Sequence, residues 1–413
     1  MSAENGHRAK AVFITAISGF LLSMFYRVSV TVISPELTEE FGLSSMRLST
    51  LSSAFFYAFA ALQIPAGPAL DRTGPRRTMF VLGLLAVAGA LTFGFGQSYP
   101  QLLIGRILIG LGMACNLMGA FTLISAWFPA NRFATLAGVL TGAGTAGMLL
   151  AATPLAWMAE TVGWRWAFLA IAALNLVQLA VFYRVVRDSP GKDAGHGEKS
   201  ASPRELLRSL GYLWTRHWFW AVCLATFFRF GAFMSLQALL AGPYLIYGHG
   251  LSSIQTGNAL TACTLGYIAS LPLSGRLSDK DLNTRKYVVS PAILITAALF
   301  VFLSRLPAGT SLYVYFGLFA AIGVFSAPGN IVYAHIKELC PREMTGTAMT
   351  GINLFNMLGP AVLIQVGGAF MPENPAAATG PQDFSAVWLI FAAGLAASGL
   401  VYLTVPDTRR VRG

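Results

Sequence analysis

Apolar runs of about twenty residues recur along this chain, punctuated by proline, glycine and charge, and they leave few folds open. They lie near 11–33, 50–70, 79–96, 101–127, 136–158, 166–186, 217–241, 252–275, 287–305, 311–336, 345–371 and 384–405. An open strand in lipid would leave its backbone groups unpaired, so each run reads as a helix. Of the 413 residues, 55% are hydrophobic and 11% charged. A set of soluble domains would carry about a quarter charged residues, so that class is excluded. The chain is expected to be an all-α polytopic membrane protein with twelve transmembrane helices.

The bases set the orientation. There are 28 Lys and Arg against 17 Asp and Glu, a surplus that would suggest nucleic acid in a soluble chain. Here it is topological. With the N-terminus inside, 22 bases fall on the inner side, three outside (Arg47, Arg165, Arg305) and three within spans (Arg27, Arg106, Arg229). That asymmetry places both termini in the cytoplasm of a multi-pass inner-membrane protein. The first run is too long for a signal-peptide core and lacks a small-residue cleavage site after it, so it reads as a retained span. The four cysteines have no CxxC spacing and read as small buried hydrophobes. No metal site, cofactor or catalytic residue is expected, and no enzyme.

The longest inner connection divides the spans six and six: residues 1–186, a cytoplasmic loop at 187–216, and residues 217–413. Ser202-Pro203-Arg204-Glu205 is a capping box with proline at the first helical position, predicting a short interfacial helix. The halves echo each other. Asp71 and Asp279 are 208 residues apart, Arg27 and Arg229 are 202 apart, and Arg132 and Arg342 are 210 apart. The helices are therefore expected as two pseudo-symmetric six-helix bundles.

Gly67-x3-Asp71-Arg72-x-Gly74-x-Arg76-Arg77 after span two has a weaker copy, Gly275-x3-Asp279-Lys280, after span eight. With Arg106-x3-Gly110-x-Gly112 and Gly163-Trp-Arg-Trp166, these motifs resemble the major facilitator superfamily over essentially the whole chain. The resemblance implies a secondary transporter working by alternating access of two halves. Asp71 and Asp279 would then latch a conformation at the inner helix ends, with Arg72, Arg76, Arg106 and Arg132 as gating partners; fixing topology alone is the plainer role for the loop bases. Gly138, Gly142, Gly144 and Gly147 of span five read as close-packing positions, with a hinge as the lesser reading.

Every acid can be assigned outside the spans, yet three arginines lie within them. Each costs roughly 2.5–3.5 kcal/mol on insertion scales, and an arginine cannot shed its proton to escape. An anionic substrate would offset that cost. Arg229 is about 12 residues, roughly 18 Å, from either end of its span, too deep to snorkel. Arg27 lies nearer the outer end, and Arg106 belongs to a superfamily motif that suits a structural role as well. Phe25-Tyr26-Arg27-Val28 and Phe228-Arg229-Phe230-Gly231 resemble the organophosphate:phosphate antiporter branch, whose arginines in the first and seventh spans grip phosphate. That branch also has a lysine in span two and a histidine in span five; Tyr57 and Gln63 occupy this span two, and residues 136–158 hold no histidine. The residues thus point to an anion, with phosphate and carboxylate both open.

Tyr26, Tyr57, Gln63, Gln237, Asn258, Tyr267, Asn353 and Asn356 complete the substrate-binding set, the plainer reading for each being packing. Asn353 and Asn356, three apart on one face, would alternatively bridge neighbouring helices. His335, at the inner end of span ten, reads as a surface imidazole. The expected partners are a small organic anion, a counter-transported anion or proton, and membrane lipid, with no nucleic acid, and the chain is expected as a monomer. Exchange is the expected mode. Proton-coupled uptake of a carboxylate or amino acid is the alternative, and a transporter-like receptor the alternative of another class. Efflux of cationic drugs would want an acid in the cavity, which the spans do not supply.

Overall fold

The computed structural model describes residues 3–129, 132–189, 211–341 and 344–408, and among these every regular element is helical. Ten of the helices are long and apolar enough to cross a membrane. Span eight, Ser253–Arg276, is a 24-residue helix outside that ten, because Gln255, Asn258, Thr261, Thr264 and Ser270 dilute its hydropathy. Span two forms the first part of one long helix with span three, Ser45–Gly94, interrupted at Gly74. The predicted interfacial helix from Ser202 lies outside the described residues, as do Arg342 and Glu343.

Local chemistry explains the breaks. Gly74 has φ +78°, and a Cβ there would stand 2.6 Å from a carboxylate oxygen of Asp188, so the turn between spans two and three requires glycine. Gly163, at φ +89°, separates spans five and six in the same way. Span one runs Ala3–Val28 and ends five residues before the predicted 33. The following Ser29 and Thr31 turn their hydroxyls to nearby carbonyls, and Pro35 opens the short helix Ser34–Phe41. Span eight starts on a capping box in which Ser252 and Gln255 satisfy each other's backbone N–H groups. Span seven continues to Gly248, beyond the predicted 241, through two π-helical turns at Leu236–Leu240 and Tyr244–Gly248.

The chain forms two compact units, Met1–Ser29 with Ala54–Ser200, and Val30–Ser53 with Ala201–Gly413. In the first, span one packs on spans four, five and six. In the second, span seven packs on eleven, eight on ten, and nine on twelve. Lipid gives helices little hydrophobic reason to associate, so small residues that allow backbone contact carry the packing. Gly231 faces Gly359, and Gly112 faces Ala86. Gly144 and Gly147 meet Phe20 and the Leu21 backbone of span one, the close packing expected of them. Gly138 and Gly142 have no neighbour within 4 Å of their missing side chains, so packing does not explain those two. All four cysteines are buried and free.

Candidate functional site

The second unit holds a buried cation built from spans seven, eight, ten and eleven. Arg229 is 1% exposed. Its Nη1 donates to the Ser326 carbonyl at 3.0 Å, while Nε and Nη2 make no hydrogen bond. Those two N–H groups form the side edge of the guanidinium, the edge that meets two oxygens of a carboxylate in parallel. Among the described residues, the groups facing Arg229 are the hydroxyls of Tyr267, which comes within hydrogen-bonding reach of the guanidinium, and of Tyr333 and Tyr402, and none is a carboxylate.

The surrounding polar groups are tied to one another. Asn330 Nδ2 donates to the Tyr267 hydroxyl at 2.7 Å, and the Tyr267 ring stacks on Phe233 with centroids 4.8 Å apart. The Tyr333 hydroxyl donates to Asn353 Oδ1 and accepts from Asn356 Nδ2, both at 3.3 Å. Asn353 and Asn356 therefore do bridge helices, joining span eleven to span ten. Gln237 is buried and donates to Thr264 at 3.1 Å, while its backbone carbonyl accepts from Thr31. Asn258 is exposed.

In the first unit Arg27 sits in the last turn of span one, buried, with its guanidinium 4.7 Å from the Phe59 ring centroid. Arg106 is fully buried, donates to the Tyr26 carbonyl at 2.7 Å and lies over the Phe55 ring. It thus holds the backbone just before Arg27. Tyr26 is buried and Tyr57 exposed. Gln63 donates to the Ala114 carbonyl at 3.1 Å, tying span two to span four.

At the helix ends beside the loop motifs, the charges form clasps. Arg76 donates through Nε and Nη2 to the Tyr183 carbonyl and lies over the Tyr183 ring at 4.3 Å, while its backbone N–H donates to Asp188 at 2.7 Å. Arg72 and Arg132 are exposed, and the Asp71 side chain lies outside what the structure describes. In the second unit Arg285 pairs with Asp279 at 2.6 Å and Glu338 at 2.8 Å. Burial works to lower its pKa, but the two carboxylates outweigh that and hold it above its ordinary value. The Arg285 backbone N–H donates to Asp407, which also accepts from the Thr284 hydroxyl. His335 is not a surface imidazole: it is fully buried, bonded to the Tyr402 hydroxyl at 2.6 Å and the Pro406 carbonyl at 2.9 Å. The chain beyond span twelve folds back over that position, which the local sequence around His335 does not reveal.

Several of these groups escaped the sequence reading. Ser326, Asn330 and Tyr333 are ordinary residues of an apolar span, and the only local signal was Pro328-Gly329 breaking it. Asp188 and Asp407 carried a stronger signal, since each follows the sixth span of its half and precedes a hydroxyl residue.

The description "Major Facilitator Superfamily" fits the chain over residues 15–242 and again over 225–413. The chain belongs to that superfamily. Its relatives include the hexuronate transporter of Bacillus subtilis, 25% identical over 81% of this chain and 82% of that protein. The Cupriavidus necator protein named "Probable sulfoacetate transporter SauU" is 27% identical over 47% of this chain, and the Escherichia coli D-galactonate transporter 24% over 45%. The chain spans less than half the length of these two, 44% and 43%. A D-xylose-proton symporter superposes with a TM-score of 0.79 over 97% of this chain and 98% of its own, at 16% identity. That likeness is one of fold.

Proposed function

We propose that this superfamily member is a secondary transporter of a small organic anion bearing a carboxylate, moved by alternating access. The observation that carries this is Arg229, buried with no geometric hydrogen bond at the two donors of its side edge and with only tyrosine hydroxyls, no carboxylate, facing it among the described residues. A permanent cation in so dry a site is stabilised by an anion that arrives and leaves. Two parallel N–H donors match the two oxygens of a planar carboxylate. The names of the relatives agree in class: hexuronate and galactonate are sugar acids, and sulfoacetate carries a carboxylate beside its sulfonate. The branch that carries organophosphates is favoured by the arginine motifs alone, so carboxylate is the reading adopted.

Exchange is the mode proposed. An empty carrier would reorient with uncompensated charge in a low-dielectric site, and a bound anion on the return trip lowers that barrier. The distribution of bases argues for an inner-membrane location with both termini cytoplasmic. Arg27, Tyr26 and Gln63 of the first unit are proposed as further substrate groups, as are Tyr267, Asn353, Asn356 and Gln237 of the second.

Counterflow in proteoliposomes tests the reading. Vesicles loaded with glucuronate, D-galactonate, tartrate, glycerol 3-phosphate or inorganic phosphate are offered the labelled counterpart outside. Accumulation with one of the three carboxylates, abolished in Arg229→Ala, is the expected result. Accumulation with the phosphates alone would move the chain to the organophosphate branch. Uptake that needs an imposed proton gradient and fails to exchange would replace antiport by symport.

A further inference from the structure

Span ten is not a continuous α-helix. Leu312–Ser326 and Val332–Leu339 are joined by a tighter 3₁₀ stretch, Ala327–Ile331. Such a stretch inside a helix shifts backbone donors away from their usual carbonyls and commonly marks a functional position. Pro328, which lacks an N–H, falls within it. Ser326, at the junction, gives its carbonyl to Arg229 Nη1.

Gly329 lies in the middle of this stretch, and the Arg229 side chain occupies the space its side chain would have taken. A Cβ at position 329 would overlap Cδ and Nε of Arg229 outright and stand 2.6 Å from Cζ. Carbon atoms in contact sit about 3.5–4.0 Å apart. The other close glycines of this region, Gly266, Gly323 and Gly359, meet backbone atoms first. At Gly329 the nearest three atoms all belong to the end of the Arg229 side chain, Cδ, Nε and Cζ.

We propose that Gly329 is a positioning residue: with the Ser326 carbonyl it forms a seat that fixes the Arg229 guanidinium so that its Nε–Nη2 edge faces a carboxylate. The proposal rests on the transport reading above. The seat has three walls. Gly329 leaves the volume, Ser326 holds the far nitrogen, and Asn330, the next residue, is anchored to Tyr267 across on span eight. A methyl group at 329 forces the flexible end of the arginine aside by an ångström or more, while the backbone has no need to move.

Gly329→Ala, purified and reconstituted beside the wild type, tests this with two readouts. The first is exchange kinetics on whichever of glucuronate, D-galactonate or tartrate the wild type carries. KM is expected to rise at least tenfold with kcat within about threefold, since binding geometry is lost and the helix is kept. An unchanged KM, or a fall in kcat and folded yield at constant KM, would overturn the proposal and leave Gly329 as a packing residue. The second readout needs no substrate. Apparent Tm is compared for wild type, Gly329→Ala, Arg229→Ala and the double variant. In the Arg229→Ala background the added methyl enters a vacated seat, so its effect should be neutral or stabilising; with the arginine present it should be unfavourable. Equal shifts in the two backgrounds would overturn the seat itself. If the wild type carries none of the three anions, the transport reading fails while the Tm comparison still decides the seat.

Discussion

Replacing Arg229 by methionine should make the protein more stable and abolish its transport. The wild-type guanidinium is 1% exposed and has one backbone acceptor, Ser326, with Nε and Nη2 unbonded. Each buried unpaired donor costs roughly 1–3 kcal/mol, and more for a charged group. Methionine follows the path of the arginine's aliphatic stem, fills irregular space readily and carries no charge into the site. The Ser326 carbonyl loses one hydrogen bond, which returns roughly 1 kcal/mol of the gain. The net expectation is about 1–4 kcal/mol of stabilisation, the range found when buried ionic groups give way to apolar ones of similar volume. Apparent Tm in detergent, scanned at one rate for both proteins, measures it, with an upward shift of a few degrees for a chain of this size. Counterflow of the exchanged anion should fall to background in the same preparation. A lower Tm alongside lost transport would mean that Arg229 is a structural strut and would refute the reasoning that an absent anion leaves it uncompensated. Lysine at the same position keeps the charge without the planar fork, so it should retain only weak binding.

His249 follows span seven, bonded through Nδ1 to the Tyr315 hydroxyl at 2.6 Å with Nε2 buried and unbonded, and burial pushes its pKa down to about 4. The unfolded chain takes up its proton near pH 6.5 and the folded one only near 4, so stability present above 6.5 drains away as pH falls between them. Partial solvent exposure trims the loss to about 1–2 kcal/mol, and His249→Phe should flatten that part of a Tm-against-pH curve. At Gly147 a Cβ would overlap the Leu21 carbonyl oxygen and stand 2.9 Å from its carbon, backbone that cannot swing aside. Gly147→Ala should therefore cost about 1–3 kcal/mol, whereas Gly142→Ala, with nothing within 4 Å, should be neutral or slightly stabilising by size-exclusion and Tm.

Length, apolarity and the lopsided bases made the helical membrane fold readable, because bilayer thickness and backbone satisfaction allow so little else. The repeat was readable for a different reason: paired motifs keep their spacing through duplication. Arg229 as a buried cation was readable by elimination, since all acids fell outside the spans and its depth ruled out snorkelling. What holds it was not. Ser326 acts through a carbonyl, which has no sequence signature, and Gly329 acts by lacking a side chain, which in a chain with 42 glycines is invisible. His335 was misread because its partners, Tyr402 and Pro406, are about 70 residues away and come to it only through the fold of span twelve. Gly138 and Gly142 show the converse limit, since composition suggested a packed face and geometry gives them no neighbour.

Of the loop aspartates in the repeated motif, Asp279 pairs with the Arg285 side chain, and in both halves a second carboxylate reaches the backbone of the next helix. Asp188 accepts the backbone N–H of Arg76, and Asp407 accepts that of Arg285. In each half an acid just past the sixth span holds the chain where the third span begins. A carboxylate at that position complements the exposed N–H groups and positive dipole end of the helix it meets. The bond is to backbone, so side-chain drift at positions 76 and 285 leaves it intact. The side chains have in fact diverged: Arg76 turns to the Tyr183 carbonyl, and Arg285 binds Asp279 and Glu338. Arg285 is buried and binds two carboxylates that remain partly exposed, whereas the half-buried Arg76 side chain meets a backbone carbonyl and a tyrosine ring. Both halves thus place a carboxylate on the same backbone position while the side-chain contacts around it differ, so the two helix ends share one plan with different ion pairs.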